Sequence, residues 1–209
     1  MPFFDAPRRI RQPDVTRQKI LRAAFPEIYR HGFQAASLDA ILGEAGVTKG
    51  ALYHHFPSKA ALGHAVVDEV ITGFLLQRWS LPPGGLDRLS ALQAVLRHRA
   101  AHSDPDEAVL GCPLNNLAQE MAPLDPEFRR RIDAAYAQWV ELFAGPLEAA
   151  RQAGTVRPEV DPRRVATFLV ATIEGSYSVA KGTGDLAVLT ANLGLLVDYL
   201  EGLRAPVAS

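Results

Sequence analysis

One cysteine, two methionines and two tryptophans in 209 residues already narrow the field. The lone Cys112 excludes an intramolecular disulfide, so this is not a disulfide-stapled scaffold, and a reducing compartment is expected. No stretch approaches the roughly 20 apolar residues that span a bilayer. The opening MPFFDAPRRIRQPD lacks the apolar run of a signal peptide, so no membrane partner and a cytoplasmic location are expected. Apolar and polar residues alternate for only a few positions at a time, and there is no internal repeat. Catalytic patterns are missing too: no Ser/His/Asp set of recognisable spacing, no His-Glu-x-x-His, no glycine-rich phosphate loop and no cysteine pair. His54 and His55 are adjacent and cannot both face one metal on a helix. His98 and His102 are four apart, but no carboxylate pattern accompanies them. Catalytic residues, metal ligands and cofactors are therefore assigned to none, and an all-α enzyme remains only a rival reading.

What is present is an ordinary hydrophobic fraction of 48%, enough for a substantial core, and an uneven distribution of charge. Through Ala60 there are nine basic and five acidic residues; the remainder holds thirteen basic and eighteen acidic. A basic head on an acidic body points to an anionic partner for the head alone. The same asymmetry argues against a DNA-packaging protein, which would depend on sequence-independent charge throughout.

Helical spacing runs through the whole chain, and the fold class expected is all-α. Residues 1–13, with three prolines and three arginines, read as a flexible basic arm. Asp14 is the expected cap of a first helix carrying Ile20, Leu21, Ala24, Phe25, Ile28 and Tyr29, with Pro26 inside it and Gly32 as its stop. Ser37 caps Leu38 to Glu44, Ala45-Gly46-Val47 makes a tight turn, and Thr48 caps Lys49 to His55. Two short helices joined by a glycine turn form a helix-turn-helix, whose second helix would enter a major groove. Ser58 starts a longer helix to about Ser80. Leu81-Pro-Pro-Gly-Gly85 breaks the chain, and helices follow over about 86–102, 113–121, 126–153, 162–181 and 186–203, with a loop at Ser103–Asp106 and a bend at Pro146. The domains expected are 1–13, 14–58 for DNA binding, and 59–209 for effector binding and dimerisation.

Residues 37–62 closely resemble the helix-turn-helix of the tetracycline-repressor (TetR) family of bacterial regulators. The resemblance rests on Ile20, Ala23-Ala24 and Gly32-Phe33, on Ser37 with Ile41, and on Ala45-Gly46-Val47-Thr48-Lys49-Gly50. It continues through Leu52-Tyr53-His54-His55-Phe56 and Lys59 with Leu62. Pro26 departs from the usual pattern. The resemblance implies a sequence-specific repressor, bound as a homodimer to a palindromic double-stranded operator and released by a small-molecule effector. The DNA-binding residues it implies are Arg17, Ser37, Thr48, Lys49, Gly50, Tyr53, His54 and Lys59. Lys49 can donate to guanine or phosphate, Gly50 permits close approach, Tyr53 offers a hydroxyl and an apolar ring, and capped helix starts can present N–H groups to phosphate. Leu52 and His55 are expected to pack inward.

The rest of the chain carries architecture more than motif. Leu186, Leu193 and Leu200 are seven apart, as are Leu189, Leu196 and Leu203, an a/d seam. With Leu169 and Ile173 on the preceding helix, Leu186, Leu189, Leu193, Leu196 and Leu200 are the expected dimer interface, the alternative being packing within their own domain. An effector pocket is expected among Trp79, Arg99, Cys112, Asn116, Tyr136, Trp139, Phe143 and Tyr177. Gly111-Cys112-Pro113 also places the thiol at a helix start, where the dipole favours thiolate. A redox or electrophile sensor acting through Cys112 is therefore the alternative function, against a plainly buried cysteine.

Overall fold

The computed structural model describes residues 12–206, with side chains from Val15. The expected basic arm lies outside the described residues, except that Gln12 and Pro13 already belong to the first helix. The described elements are α-helical: α1 (Gln12–His31), α2 (Leu38–Ala45), α3 (Lys49–His55), α4 (Lys59–Ala65), α5 (Thr72–Arg78), α6 (Arg88–Ala101), α7 (Asp106–Leu110), α8 (Pro113–Met121), α9 (Pro126–Gln152), α10 (Pro162–Thr183) and α11 (Leu186–Glu201). One isolated antiparallel bridge ties Val156 to Arg204. None of these helices is long and apolar enough to cross a membrane.

The chain divides into two compact units. One comprises residues up to Phe74 together with Asn116–Ala135; the other comprises Leu75–Asn115 and Tyr136–Ser209. In the first unit α1 is the hub, packing against α2, α3 and α4. Its buried stripe of Ile20, Leu21, Ala24, Phe25 and Ile28 supplies the surface. Asp14 lies inside α1 rather than capping it, because the helix begins two residues earlier. Pro26 removes one backbone donor, yet α1 runs through it: Phe25 and Ile28 on either side are both buried, and their packing holds the turn.

The α2–α3 turn forms as its chemistry requires. Ser37 Oγ accepts from the Ala40 N–H at 3.3 Å, and Thr48 Oγ1 accepts from the Ala51 N–H at 3.2 Å. Between them Gly46 adopts φ +63°, a left-handed conformation that a side chain would strain. Ile41 and Leu52 are buried, whereas Leu38, Leu42 and His55 are only half-buried.

The helix expected over 59–80 is interrupted. Between α4 and α5 the segment Val66–Ile71 is π-helical, with the Thr72 N–H bonding to the Val67 carbonyl. Thr72 Oγ1 donates to the same carbonyl at 2.8 Å. Val66, Val67, Val70 and Ile71 are all buried, an apolar face broader than an α-turn turns toward one neighbour, and the wider π turn brings all four inward. Helix α7 replaces part of the stretch expected as loop; five residues are too few to display a period.

In the second unit α11 packs on α6 and α10, and α10 also packs on α7. The leucine seam corrects the expectation about the dimer. Leu169, Ile173, Leu189, Leu193, Leu196 and Leu200 are buried within their own subunit, and Leu186 is half-buried. A seven-residue leucine spacing fits an intramolecular neighbour as well as a partner helix, and here α6 and α10 occupy it.

The tightest contact in the first unit is at Gly63. A Cβ there would lie 2.4 Å from the Phe33 ring and 2.6 Å from the Phe128 ring, and Phe128 is fully buried. The two rings meet edge-on at 4.7 Å. Gly63→Ala should cost ~1–3 kcal/mol through overpacking and lower Tm by several degrees. Calorimetry checks this, and an unchanged Tm would show that the rings yield freely.

Candidate functional site

Helix α3 has two faces of different character. Leu52 and the following Phe56 are buried, which fixes the helix by its back. Thr48, Lys49, Gly50, Tyr53 and His54 are exposed on the front and first turn, Tyr53 at 40%. The nearest foreign atom to a Cβ built on Gly50 is Thr48 Oγ1 at 3.9 Å, so the glycine leaves the surface low rather than relieving a clash within the fold. His54 and His55 lie side by side, ring centroids 5.2 Å apart. The result is a low, polar, cation-bearing helix face of the kind that can enter a groove.

Three expected contact residues have partners within the first unit. Arg17 forms a two-pronged ion pair with Glu69 and lies 4.9 Å over the Phe56 ring. Lys59 Nζ donates to the Gln34 carbonyl at 2.9 Å and lies over the Phe33 ring at 5.3 Å. The Ser37 N–H, expected to point at phosphate, donates instead to Glu27 Oε1 at 2.9 Å. All three brace the helix-turn-helix from behind or from the side. Glu120, not singled out in the sequence, does the same: its carboxylate accepts from the N–H groups of Phe33 and Gln34, both at 2.8 Å. It thereby ties α8 to the α1–α2 turn. Nothing in the local pattern around Glu120 signals a partner 87 residues away.

The second unit gathers most of the expected effector residues, though many of them serve as core. Trp79, Trp139 and Phe143 form one aromatic cluster, with Trp79 5.5 Å from Trp139 and 6.1 Å from Phe143. All three are buried, and neither indole N–H has a hydrogen-bond partner. Asn116 falls in the other unit and is half-buried. Beside the aromatics is a buried polar network that the sequence hid. Glu107 accepts from Arg99 Nη2 at 2.8 and 3.1 Å, from Tyr177 Oη at 3.0 Å, and from Arg78. Glu107 and Arg78 carry no sequence signal, because an acid on a five-residue helix and an arginine at a helix end are ordinary surface features.

Cys112 reverses an expectation. It precedes α8, and the N–H groups of Leu114 and Asn115 do act to lower its pKa. Burial and the Glu174 carboxyl, which accepts from Sγ at 3.2 Å, outweigh them and push the thiol well up. The helix dipole has the expected sign but is the smaller effect, so the thiolate is disfavoured. Tyr136 is likewise pushed up, by burial and then by Glu174 and Cys112. Glu174 itself was legible: it occupies the buried face of α10 between Ile173 and Tyr177.

Burial raises the Glu174 carboxyl to about 7, against an ordinary 4.5, with only the Cys112 hydrogen bond opposing the shift. A carboxyl raised on folding holds its proton longer in the native state. Its contribution is therefore full below about pH 4.5 and is lost as pH climbs to about 7, on the order of 3 kcal/mol in all. Glu174→Gln should remove this decline, gaining stability relative to the parent between about pH 5 and pH 8. Urea unfolding at both ends measures it; parallel changes in the two proteins would contradict the assignment.

Residues 20–66 match the family of bacterial regulatory proteins, tetR family, and residues 85–193 match the tetracyclin repressor-like C-terminal domain. The chain is 44% identical over 195 residues to the HTH-type transcriptional regulator UidR of Escherichia coli, covering 92% of this chain and 91% of that one. It is 31% identical over 190 residues to an uncharacterized HTH-type transcriptional regulator of Lactococcus lactis, covering 89% and 93%. A TetR transcriptional regulator from Chloroflexus aurantiacus superposes with a TM-score of 0.80 at 26% identity, over 94% of this chain and 100% of that one. The reduced form of Escherichia coli NemR gives 0.77 at 22% identity over 93% and 100%, a likeness of fold alone. Both the helix-turn-helix and the helical body thus match one family, and the chain belongs to the TetR family of DNA-binding transcriptional regulators.

Proposed function

We propose that the protein is a repressor that grips a palindromic operator as a homodimer and releases it when a small molecule enters the second unit. The observation that carries this is the two-faced α3, buried behind at Leu52 and Phe56 and exposed in front at Lys49, Gly50 and Tyr53. Lys49 reads a base or holds a phosphate, Tyr53 packs its ring on the groove wall, and Thr48 and His54 contact the backbone. Arg17, Ser37 and Lys59 hold the reading helix in position, and any phosphate contact they make competes with Glu69, Glu27 and the Gln34 carbonyl.

Dimerisation is assigned to the outer face of α10 and α11. Phe168, Val179, Leu195 and Tyr199 are exposed there, with Phe168 and Tyr199 in ring contact at 5.0 Å. Gly175 and Gly194 have open space where a side chain would stand, so a partner helix can approach closely. The run Lys59–Arg78 passes from one unit to the other without a loop, and its π turn is the point at which ligand entry would alter the reading head.

Two outcomes follow. Lys49→Ala should weaken operator binding by roughly 10–100-fold in a gel shift with excess competitor DNA. Retained affinity would remove α3 as the reader. Leu195→Glu, on a side chain 65% exposed, should leave helix content unchanged but yield monomer in sedimentation. A persistent dimer would place the interface elsewhere.

A further inference from the structure

The interior of the second unit holds more positive than negative charge in one place. Arg78 and Arg99 share a single carboxylate, Glu107. The Glu107 side chain is 9% exposed, that of Arg99 8% and that of Arg78 18%. Glu107 is saturated: besides the two arginines it accepts from Tyr177 at 3.0 Å and from the Asp104 N–H at 3.3 Å. Asp104 is the next acid, but it is exposed and its carboxylate accepts from the Asp106 N–H. Burial, and then the neighbouring Arg78 charge, lower the pKa of Arg99, the sign of a cation short of anionic partners.

Donors are also left over. Arg99 Nε–H is buried without a hydrogen-bond partner, as are the indole N–H groups of Trp79, next in the chain to Arg78, and of Trp139. Buried N–H groups are almost always satisfied, and a positive charge in a low-dielectric interior is costly unless matched. A guanidinium offers five donors in a planar fork suited to carboxylate.

We propose that the Arg78–Arg99 pair is the docking point for a small organic monocarboxylate, which shares the two guanidiniums with Glu107 and takes up the unpartnered Arg99 Nε–H. The surplus of one positive charge fits a monoanion, and Glu107 shows that a carboxylate matches the site. The aromatic cluster of Trp79, Trp139 and Phe143 suits an apolar body on the same ligand. This names the chemical class of the effector and so rests on the ligand-gated reading above.

The test uses the full-length protein, with sodium benzoate and sodium propionate as probes and benzamide and propionamide as neutral counterparts, at ionic strength fixed with sodium chloride. Tm of the free protein reads binding, and anisotropy of a labelled operator reads release. The carboxylates should raise Tm with concentration while the amides do not. Glu107→Gln removes the internal competitor and should tighten benzoate binding by about tenfold or more. Arg99→Gln should abolish the effect; should that variant not fold, the benzoate–benzamide difference in the parent and the gain in Glu107→Gln decide. Equal responses to acid and amide in the parent, with no gain in Glu107→Gln, would overturn the site and leave the ion pairs purely structural. Carboxylate binding without operator release would uphold the site and overturn the gating role. Release by the neutral amides alone would overturn the carboxylate class and leave the gating role standing.

Discussion

Seven residues are too few for a helix to persist alone in water, so the reading helix of this protein exists only through what it leans on. That dependence organises the first unit. Leu52 and Phe56 anchor α3 in the core, and α1 provides the surface through Ile20, Leu21 and Ala24. Around this nucleus charged side chains act as struts. Arg17 joins α1 to Glu69, Lys59 fastens to the Gln34 carbonyl, and Glu120 accepts two backbone N–H groups of the α1–α2 turn. Residues that a sequence reader assigns to phosphate thus act first on the protein's own backbone. The polar face left uncommitted is small, which is why paired heads are needed for useful affinity.

The second unit has the opposite problem. Its core is large and well filled with aromatics, yet it encloses two arginines, two glutamates, two tyrosines and a thiol. Buried polar groups of this kind add little net stability and often subtract from it. Glu174, held near neutrality by burial, illustrates the cost, and the Arg78–Arg99–Glu107 set illustrates a charge imbalance. A plain structural core of this size would be more stable with apolar residues in these places. Their presence is most simply understood as the recognition chemistry of a site meant to receive a polar ligand.

Much of this was legible from the residues. The helix-turn-helix was, because Ser37, Gly46 and Thr48 carry local chemistry that acts within a few residues. The all-α class was, because the apolar stripes are long. The dimer face was not: leucines at a seven-residue spacing satisfy an internal neighbour equally well, and the exposed Phe168, Leu195 and Tyr199 form no regular pattern. The π turn escaped notice because Val66, Val67, Val70 and Ile71 also fit an α-helical stripe. Glu107, Glu120 and Arg78 went unnoticed because their partners are distant in sequence or belong to a helix too short to detect. Cys112 was placed correctly at a helix start, but burial, which no local motif reports, reverses its chemistry.

The central claim is that paired α3 helices read two related half-sites. Hydroxyl-radical footprinting of the full-length protein on a DNA fragment recovered by binding-site selection tests it most directly. Two protected patches on one face of the duplex, related by a dyad and separated by about 34 Å or a multiple of it, are the predicted result. A single patch, or uniform protection that follows protein concentration regardless of sequence, would contradict it.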